Sequence, residues 1–341
     1  MPSNITEKIT IDENENTIEI NKLVKKFKNF VAVDSVDLQI NKGELFGLLG
    51  PNGAGKTTTL NILATLLPPT SGDAKINGFN LKEQNKIRHS IGFVFQDSTL
   101  DDELTARENL DIHGRLYHLP KNLRKQRIDE VLDLVELKDK ENRQVKTFSG
   151  GMKRRLEIAR GMMHHPKILF LDEPTLGLDP QTRRNVWNHI ERLNKEENLT
   201  IILTTHYLEE ADYLCNRIAI IDHGKIVAID SPDNLKKTIR SDTLVLKTNQ
   251  IKDLVELLQA NEISEFTVFE NSVNLATDKG ERIIPDLLNL ASKNQVSINS
   301  VELKKSTLED VFIHFTGHQI REDQASSADV LRNALKATGR F

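Results

Sequence analysis

The segment Gly50-Pro51-Asn52-Gly53-Ala54-Gly55-Lys56-Thr57 fits the pattern G-x-x-x-x-G-K-[ST] in full. Glycines at these places let the backbone turn tightly enough to aim several N–H groups at one anion, and a following helix adds the positive end of its dipole. Lys56 reaches the outer phosphates of such a ligand, and Thr57 offers a hydroxyl to Mg²⁺. The competing reading is a glycine turn ahead of a core helix. Downstream, the apolar run Ile168 to Leu171 ends in Asp172-Glu173. That places Asp172 at a sheet edge, where it can hold Mg²⁺ through water, and leaves Glu173 facing a reacting phosphate. Apolar strands ending in Asp are common without such a role.

Three further places carry polar groups next to regular structure. Ser149-Gly150-Gly151 opens a helix, so its hydroxyl and free backbone N–H groups form a second anion site; the plainer alternative is a serine cap with flexible glycines. Gln96 follows the strand-like run Ile91 to Phe95, and His206 follows Thr200 to Leu203. Taken singly, each also reads as a solvated loop residue.

These residues need elements to position them. Ile18 to Val24 and Val36 to Ile40 read as strands, followed by the apolar run Leu45 to Leu49 before the glycine loop and a helix-like run to Leu67. Strands follow at Ala74 to Asn77 and Ile91 to Phe95. Helical periodicity covers Thr105 to His118 and Leu123 to Leu137, with Pro120 marking the break, and a helix runs from Ser149 to His164. Then come the strand Ile168 to Leu171, the helix Pro180 to Lys195, the strand Thr200 to Leu203 and the paired strands Arg217 to Ile221 and Lys225 to Ile229. Strands alternating with helices predict a largely parallel α/β sheet with ligands at the carboxyl ends of its strands. Pro232 and the polar helix after it read as an exit from that domain.

Composition sets outer bounds. The 341 residues leave room for about two domains, and 38% hydrophobic residues support ordinary cores. Cys215 cannot make an internal disulfide, being the one cysteine, and reads as a small core residue. Met1 to Asn16 is polar and acidic, and no apolar run approaches the length needed to span a bilayer. Work at a membrane would require a partner to bring the chain there. A net charge of -4 argues against broad attachment to nucleic acid or anionic lipid.

Together and in this order, the motifs resemble the nucleotide-binding subunit of ATP-binding cassette (ABC) transporters. The resemblance covers about Ile18 to Leu235: the phosphate loop, the Q-loop glutamine Gln96, the signature Phe148-Ser149-Gly150-Gly151-Met152, the Asp172-Glu173 pair, the D-loop Gly177-Leu178-Asp179 and the switch histidine His206. Within the family the chain is most similar to the daunorubicin-resistance type of exporter ATPase. The narrower match rests on Ala64 to Gly72 (Ala-Thr-Leu-Leu-Pro-Pro-Thr-Ser-Gly), Phe95-Gln96-Asp97, Ser149 to Leu156 (Ser-Gly-Gly-Met-Lys-Arg-Arg-Leu) and Glu309 to Phe312 (Glu-Asp-Val-Phe). Two departures stand out. The usual signature is Leu-Ser-Gly-Gly-Gln, so Met152 provides no amide for a nucleotide contact. The aromatic that stacks on adenine is commonly Tyr; Phe27 matches it, with a buried core Phe as the competing reading.

The resemblance implies a P-loop NTPase fold, a RecA-like mixed sheet with a helical subdomain at about 97–165, in a nucleotide-binding domain over 17–239. It implies ATP and Mg²⁺ as ligands. ATP contacts fall to Phe27, Gly50, Asn52, Gly53, Gly55, Lys56, Thr57, Thr58, Gln96 and Asp179, with Ser149, Gly150 and Gly151 completing the site from a second copy packed head to tail. Thr57, Gln96 and Asp172 hold the metal. Catalysis falls to Glu173, which orients or deprotonates water, to His206, which holds the γ-phosphate and water in line, and to Lys56. Hydrolysis removes the group that both subunits grip, and the segment Gln96 to Glu108 is where a separate integral membrane permease feels the change. The chain is thereby expected at the cytoplasmic face of the membrane, as a homodimer held there by that permease, with no nucleic acid partner.

From residue 240 the pattern reads strand (Thr243 to Lys247), helix (Ile251 to Ala260), two strands (Glu265 to Phe269, Ser272 to Leu275), helix (Arg282 to Ala291), strand (Ser297 to Leu303) and helix (Thr307 to Phe315). This βαββαβ order predicts a ferredoxin-like α+β accessory domain over 240–316, without a catalytic constellation and so regulatory or dimer-supporting. Flexible tails are expected at 1–16 and 317–341, the latter with a short amphipathic helix, Ala328 to Lys336. Two functions compete. One is the ATPase of an exporter of drugs, antibiotics or other hydrophobic compounds; the other is a soluble ABC ATPase acting on ribosomes or DNA. A single cassette and the lack of a long heptad insertion favour transport.

Overall fold

The computed structural model describes residues 16–239, 242–261, 263, 266–277 and 280–319. Residues 1–15 and 320–341 of the expected tails, including Ala328 to Lys336, lie outside them. The chain divides into two compact units, the second spanning Asp230–Gln319.

The first unit begins with a hairpin of β1 (Asn16–Phe27) and β2 (Phe30–Asn41), then β3 (Leu45–Leu49), the glycine loop and α1 (Lys56–Leu63). There follow β4 (Ser71–Ile76), β5 (Phe79–Asn80), α2 (Gln84–Ser90) and β6 (Ile91–Val94). Helices α3 (Ala106–Leu116), α4 (Lys121–Leu134) and α5 (Gly150–Gly161) come next. The unit ends with β7 (Ile168–Asp172), α6 (Pro180–Glu197), β8 (Thr200–Thr205), α7 (Leu208–Leu214), β9 (Arg217–Asp222) and β10 (Lys225–Asp230).

Two sheets result. One has the order β2-β1-β4-β5, with antiparallel neighbours. The other runs β10-β9-β3-β8-β7-β6, and β9, β3, β8, β7 and β6 pair in parallel along it. Every residue of β3, β7 and β8 is buried. A parallel strand covered on both faces has no polar side to show, which is why these read as continuous apolar runs rather than as alternating ones. β2 instead alternates along its second half, as a half-covered strand does. The carboxyl ends of β3, β7 and β8 point the same way, so the residues just past Leu49, Asp172 and Thr205 share one edge.

The helical segment after β6 is fixed by caps and buried bonds. Thr105 and Glu108 form a reciprocal capping box at the start of α3. Pro120 stands at the N-cap of α4, as the break in periodicity predicts. The Arg127 guanidinium donates to the Met162 carbonyl at 2.8 Å, joining α4 to the end of α5. The seven-residue α2 and α7 went unmarked in the sequence because each is too short to show a period.

In the second unit, α8 (Pro232–Thr238) precedes β11 (Asp242–Lys247), α9 (Ile251–Ala260), β12 (Phe266–Phe269), β13 (Ser272–Thr277), α10 (Gly280–Lys293), β14 (Ser300–Lys304) and α11 (Leu308–Thr316). The sheet order β12-β13-β11-β14, antiparallel throughout, is that of a ferredoxin-like βαββαβ unit. Leu244, Leu246, Leu254, Leu258, Val273 and Leu287 fill its core. α8 belongs with this unit, where the Ser306 hydroxyl donates to the Lys236 carbonyl at 3.0 Å and α11 packs on it. The division therefore falls before α8, not after it as the sequence suggested, because the polar helix has its packing partner downstream.

Between α3, α5 and β6 lies an aromatic cluster in which Tyr117 stacks on His164 at 3.8 Å and lies 5.1 Å from His113. Burial and the nearby Arg160 hold His113 down at about 3, and burial holds His164 down at about 4. The unfolded chain takes up these protons first as pH falls. Stability is therefore full above the ordinary imidazole value and is lost between about pH 6.5 and the folded values. Thermal unfolding should start about 5 °C lower at about pH 5 than at about pH 7, and His113→Phe should make that dependence shallower. An unchanged pH dependence in the variant would show that His113 does not titrate on unfolding.

Candidate active site

The loop after β3 is built by three different uses of glycine. A Cβ on Gly50 would lie 2.2 Å from the Ile221 carbonyl oxygen. Gly55 sits at φ +105°, and its Cβ would meet the Ala32 carbonyl oxygen at 2.2 Å. Gly53, at φ +82°, has open space around it, so backbone conformation alone requires it. Gly55 also caps α1 and, having no side chain, leaves the first N–H groups of that helix without a side-chain partner. That is the condition for an anion site at a helix start. Asn52 and Gly53 lie exposed at the rim, and Thr58 is half-buried in the first turn of α1.

Lys56 folds back under the loop. Its Nζ donates to the carbonyls of Gly50 at 2.8 Å and Pro51 at 3.1 Å and lies 3.4 Å from Glu173 Oε1. Only 4% of the residue is exposed, and burial pulls its pKa down against the raising effect of Glu173 and Asp172. The two carboxylates meet different surroundings. Asp172 Oδ1 accepts from Thr57 Oγ1 at 3.0 Å and from Thr204 Oγ1 at 2.6 Å. Burial, helped by the charge of Glu173, raises its pKa despite those bonds. Glu173 has the left-handed φ of 44°, uncommon for a residue with a side chain, and its N–H donates to the Thr204 hydroxyl at 3.0 Å. Its side chain lies 3.3 Å from His206 Nδ1 and accepts from Gln96 Nε2 at 3.5 Å. Burial raises the Glu173 pKa, but His206 and Lys56 outweigh it and the net shift is downward. Neighbouring carboxylates pushed apart in this way are suited to different tasks.

Lys56, Thr57, Gln96, Asp172, Glu173 and His206 thus converge at one sheet edge. Thr57 and Asp172 bring a hydroxyl and a carboxylate oxygen within 3.0 Å, a hard-oxygen pair of the kind that suits Mg²⁺. Among the described residues, Ser149, Gly150, Gly151 and Asp179 make no bond to this cluster. The Ser149 hydroxyl accepts from the Met152 N–H at 3.3 Å as the cap of α5, and Asp179 accepts from the Thr182 N–H at 3.0 Å as the cap of α6. Both caps are exposed. The signature glycines also have a packing role, since a Cβ on Gly151 would come 2.4 Å from Thr182 Cγ2. Phe148, one of the departures from the usual signature, is a buried core side chain.

Phe27 ends β1 at the hairpin tip, half-buried, with Lys25 Nζ 5.1 Å from its ring centre. It is not the buried core residue that competed with the adenine reading. Sequence reasoning missed Thr204, whose hydroxyl spans Asp172 and the Glu173 backbone. The only signal was a threonine among the residues closing an apolar strand. It also missed Arg154, buried between α5 and the carboxylate strand.

Lys56→Ala should remove most ATP turnover and weaken nucleotide binding, because a point charge facing the outer phosphates is lost. Thr57→Ala should show a milder defect that shrinks as Mg²⁺ is raised. Steady-state rates across a Mg²⁺ titration test both; unchanged turnover in Lys56→Ala would sink the phosphate-loop assignment.

Comparison with known proteins agrees with this geometry. Residues 33–176 match the ABC transporter family, and residues 231–316 match the C-terminal domain of ATP-binding proteins like DrrA1-3. The linearmycin resistance ATP-binding protein LnrL of Bacillus subtilis (strain 168) is 36% identical, over 89% of this chain and 100% of that protein. The daunorubicin/doxorubicin resistance ATP-binding protein DrrA of Streptomyces peucetius is 39% identical, over 88% of this chain and 92% of that one. Among solved structures, a dimeric ATP-binding cassette in a post-hydrolysis state bound to ADP and Pi superposes with a TM-score of 0.56 at 31% identity, covering 63% of this chain and 98% of that chain. With matching motifs, matching domain order and relatives aligned over nearly their whole length, the chain belongs to the ABC transporter family as an ATP-binding, ATP-hydrolysing subunit of the daunorubicin-resistance type.

Proposed function

We propose that this chain powers an exporter of drugs, antibiotics or other hydrophobic compounds, held at the cytoplasmic face of the membrane by a separate permease. No helix among the described residues is long and apolar enough to cross a membrane, and ATP-binding subunits of this family work with separate membrane permease components. The similar proteins are resistance proteins for linearmycin, daunorubicin and doxorubicin, which supports the substrate class. The observation that carries the chemistry is the convergence of Lys56, Thr57, Gln96, Asp172, Glu173 and His206 past the ends of three buried parallel strands.

The family resemblance supplies the residue roles, and the convergence at the sheet edge supports those of Lys56, Thr57, Asp172, Glu173 and His206. The Gly50 to Thr57 loop and the open start of α1 receive the phosphates, Phe27 stacks on adenine, and Thr57, Asp172 and Gln96 hold Mg²⁺. When bound, the metal neutralises charge on the outer phosphates. An outer phosphate competes with Glu173 for the Lys56 ammonium, which frees the carboxylate to accept a proton from water. His206 beside it favours the ionised carboxylate and orients the water. Ser149, Gly150 and Asp179 are exposed, with Gly151 buried behind them, and this end of α5 serves the phosphates of a second copy packed head to tail. ATP thereby joins two subunits, and its hydrolysis parts them.

Mixing Lys56→Ala chains with Ser149→Arg chains should restore activity, since one composite site of each mixed dimer is intact while neither homodimer has any. Assembled heterodimers no more active than the homodimers, together with a failed crosslink between Ser149 and Gly53 of opposite chains, would reject the shared site. Purification from gently solubilised membranes should bring a polytopic membrane protein with the chain.

A further inference from the structure

We propose that Arg154 is a positioning residue that couples the catalytic carboxylates of one subunit to the Ser149 end of α5, which serves the opposite nucleotide. The inference rests on the head-to-tail reading above. The Arg154 guanidinium is buried and its donors go to three carbonyls on two separate backbone segments. Nη1 reaches the Phe95 carbonyl at 2.6 Å, immediately before Gln96. Nη2 reaches the Asp172 carbonyl at 2.9 Å and Nε the Pro174 carbonyl at 2.6 Å, the carbonyls of the residues before and after Glu173. One planar group thus holds the frame of both the Q-loop and the strained Glu173.

Its counter-ion extends the clamp. Glu157, 3% exposed and one turn further along α5, accepts from Arg154 Nη1 at 2.8 Å through Oε2 and from the Thr99 N–H at 3.0 Å through Oε1. The segment Phe95 to Thr99 is therefore gripped at both ends by the same face of α5. Buried ion pairs add little net stability over apolar residues of similar size, so folding alone gives weak reason to place one here. Geometry gives a better one. The fixed fork of an arginine can satisfy several carbonyls only while they keep their relative places, so a shift of the Gln96 or Glu173 backbone must move Arg154. α5 is an unbroken helix capped by Ser149, and motion imposed at Arg154 is carried to that cap.

The test uses the full-length chain with Glu173→Gln, which slows hydrolysis so that ATP-driven dimers accumulate. Two changes are placed on it: Arg154→Lys, which keeps the ion pair with Glu157 but loses the fork, and the charge-free pair Arg154→Met with Glu157→Leu, which leaves no buried charge unpaired. Binding of a fluorescent ATP analogue to monomer, sedimentation with ATP, and thermal unfolding are measured on each. Both variants should unfold near the parent temperature and bind nucleotide within about twofold of it, yet need at least about tenfold more ATP to dimerise. With Glu173 restored, kcat should fall by a similar factor with little change in KM.

Parental dimerisation in either variant overturns the proposal. So does nucleotide affinity falling in step with dimerisation, which would make Arg154 a prop of its own site, or unfolding temperature falling in step, which would make it structural. If Glu173→Gln alone fails to dimerise with ATP, the shared-site reading falls and takes the coupling with it.

Discussion

A lysine ammonium held under a loop of carbonyls, with two carboxylates beside it, is the constraint on which the rest of the first unit depends. Lys56, Asp172 and Glu173 are each less than a tenth exposed. Charges so far from water must satisfy one another with hydrogen bonds or else shift to their neutral forms. The fold meets this by ending three buried strands at one edge and lining that edge with polar partners: the Thr57 and Thr204 hydroxyls donate to Asp172, Gln96 donates to Glu173, and Lys56 and His206 lie beside Glu173. The glycines of the loop serve the same end. Side chains at Gly50 or Gly55 would push against the carbonyls of Ile221 and Ala32 and lift the loop away from the lysine.

The cluster is one-sided. Its donors approach from beneath the loop, while the other anion-seeking groups of the chain, the starts of α5 and α6, are capped by Ser149 and Asp179 and face outward. A triphosphate seated on the loop keeps one flank in water until another molecule covers it. Under the proposed function a second cassette covers it, because a two-fold arrangement completes two sites with one surface. The dimeric cassette to which this chain is similar fits that logic.

The second unit follows a different rule. Two of its strands, β13 and β14, alternate in burial, its longer helices are amphipathic, and its core of leucines and valines is self-contained. Its buried polar residues among those described, Thr248 and Thr277, are threonines rather than a set of titratable groups. The ferredoxin-like order of this unit was legible because each helix and strand was long enough to show its own period. Only the boundary moved, as α8 is too polar to reveal by pattern where it packs.

The sequence by itself determined the chemistry of the site: the glycine loop with Lys56 and Thr57, and the carboxylates after an apolar strand. Motif spacing encodes local backbone requirements, and a strand buried on both faces has to be apolar. The same local logic placed Gln96 and His206 past strand ends but could not aim them. Only the tertiary structure brought both to Glu173, set Thr204 between the two carboxylates, took Phe27 out of the core and made Arg154 a buried link from α5 to the carboxylate strand. Those relations join residues far apart in the chain through single hydrogen bonds. A hydrogen bond has no period and no spacing, so it leaves no trace in the order of residues until the sheet brings its ends together.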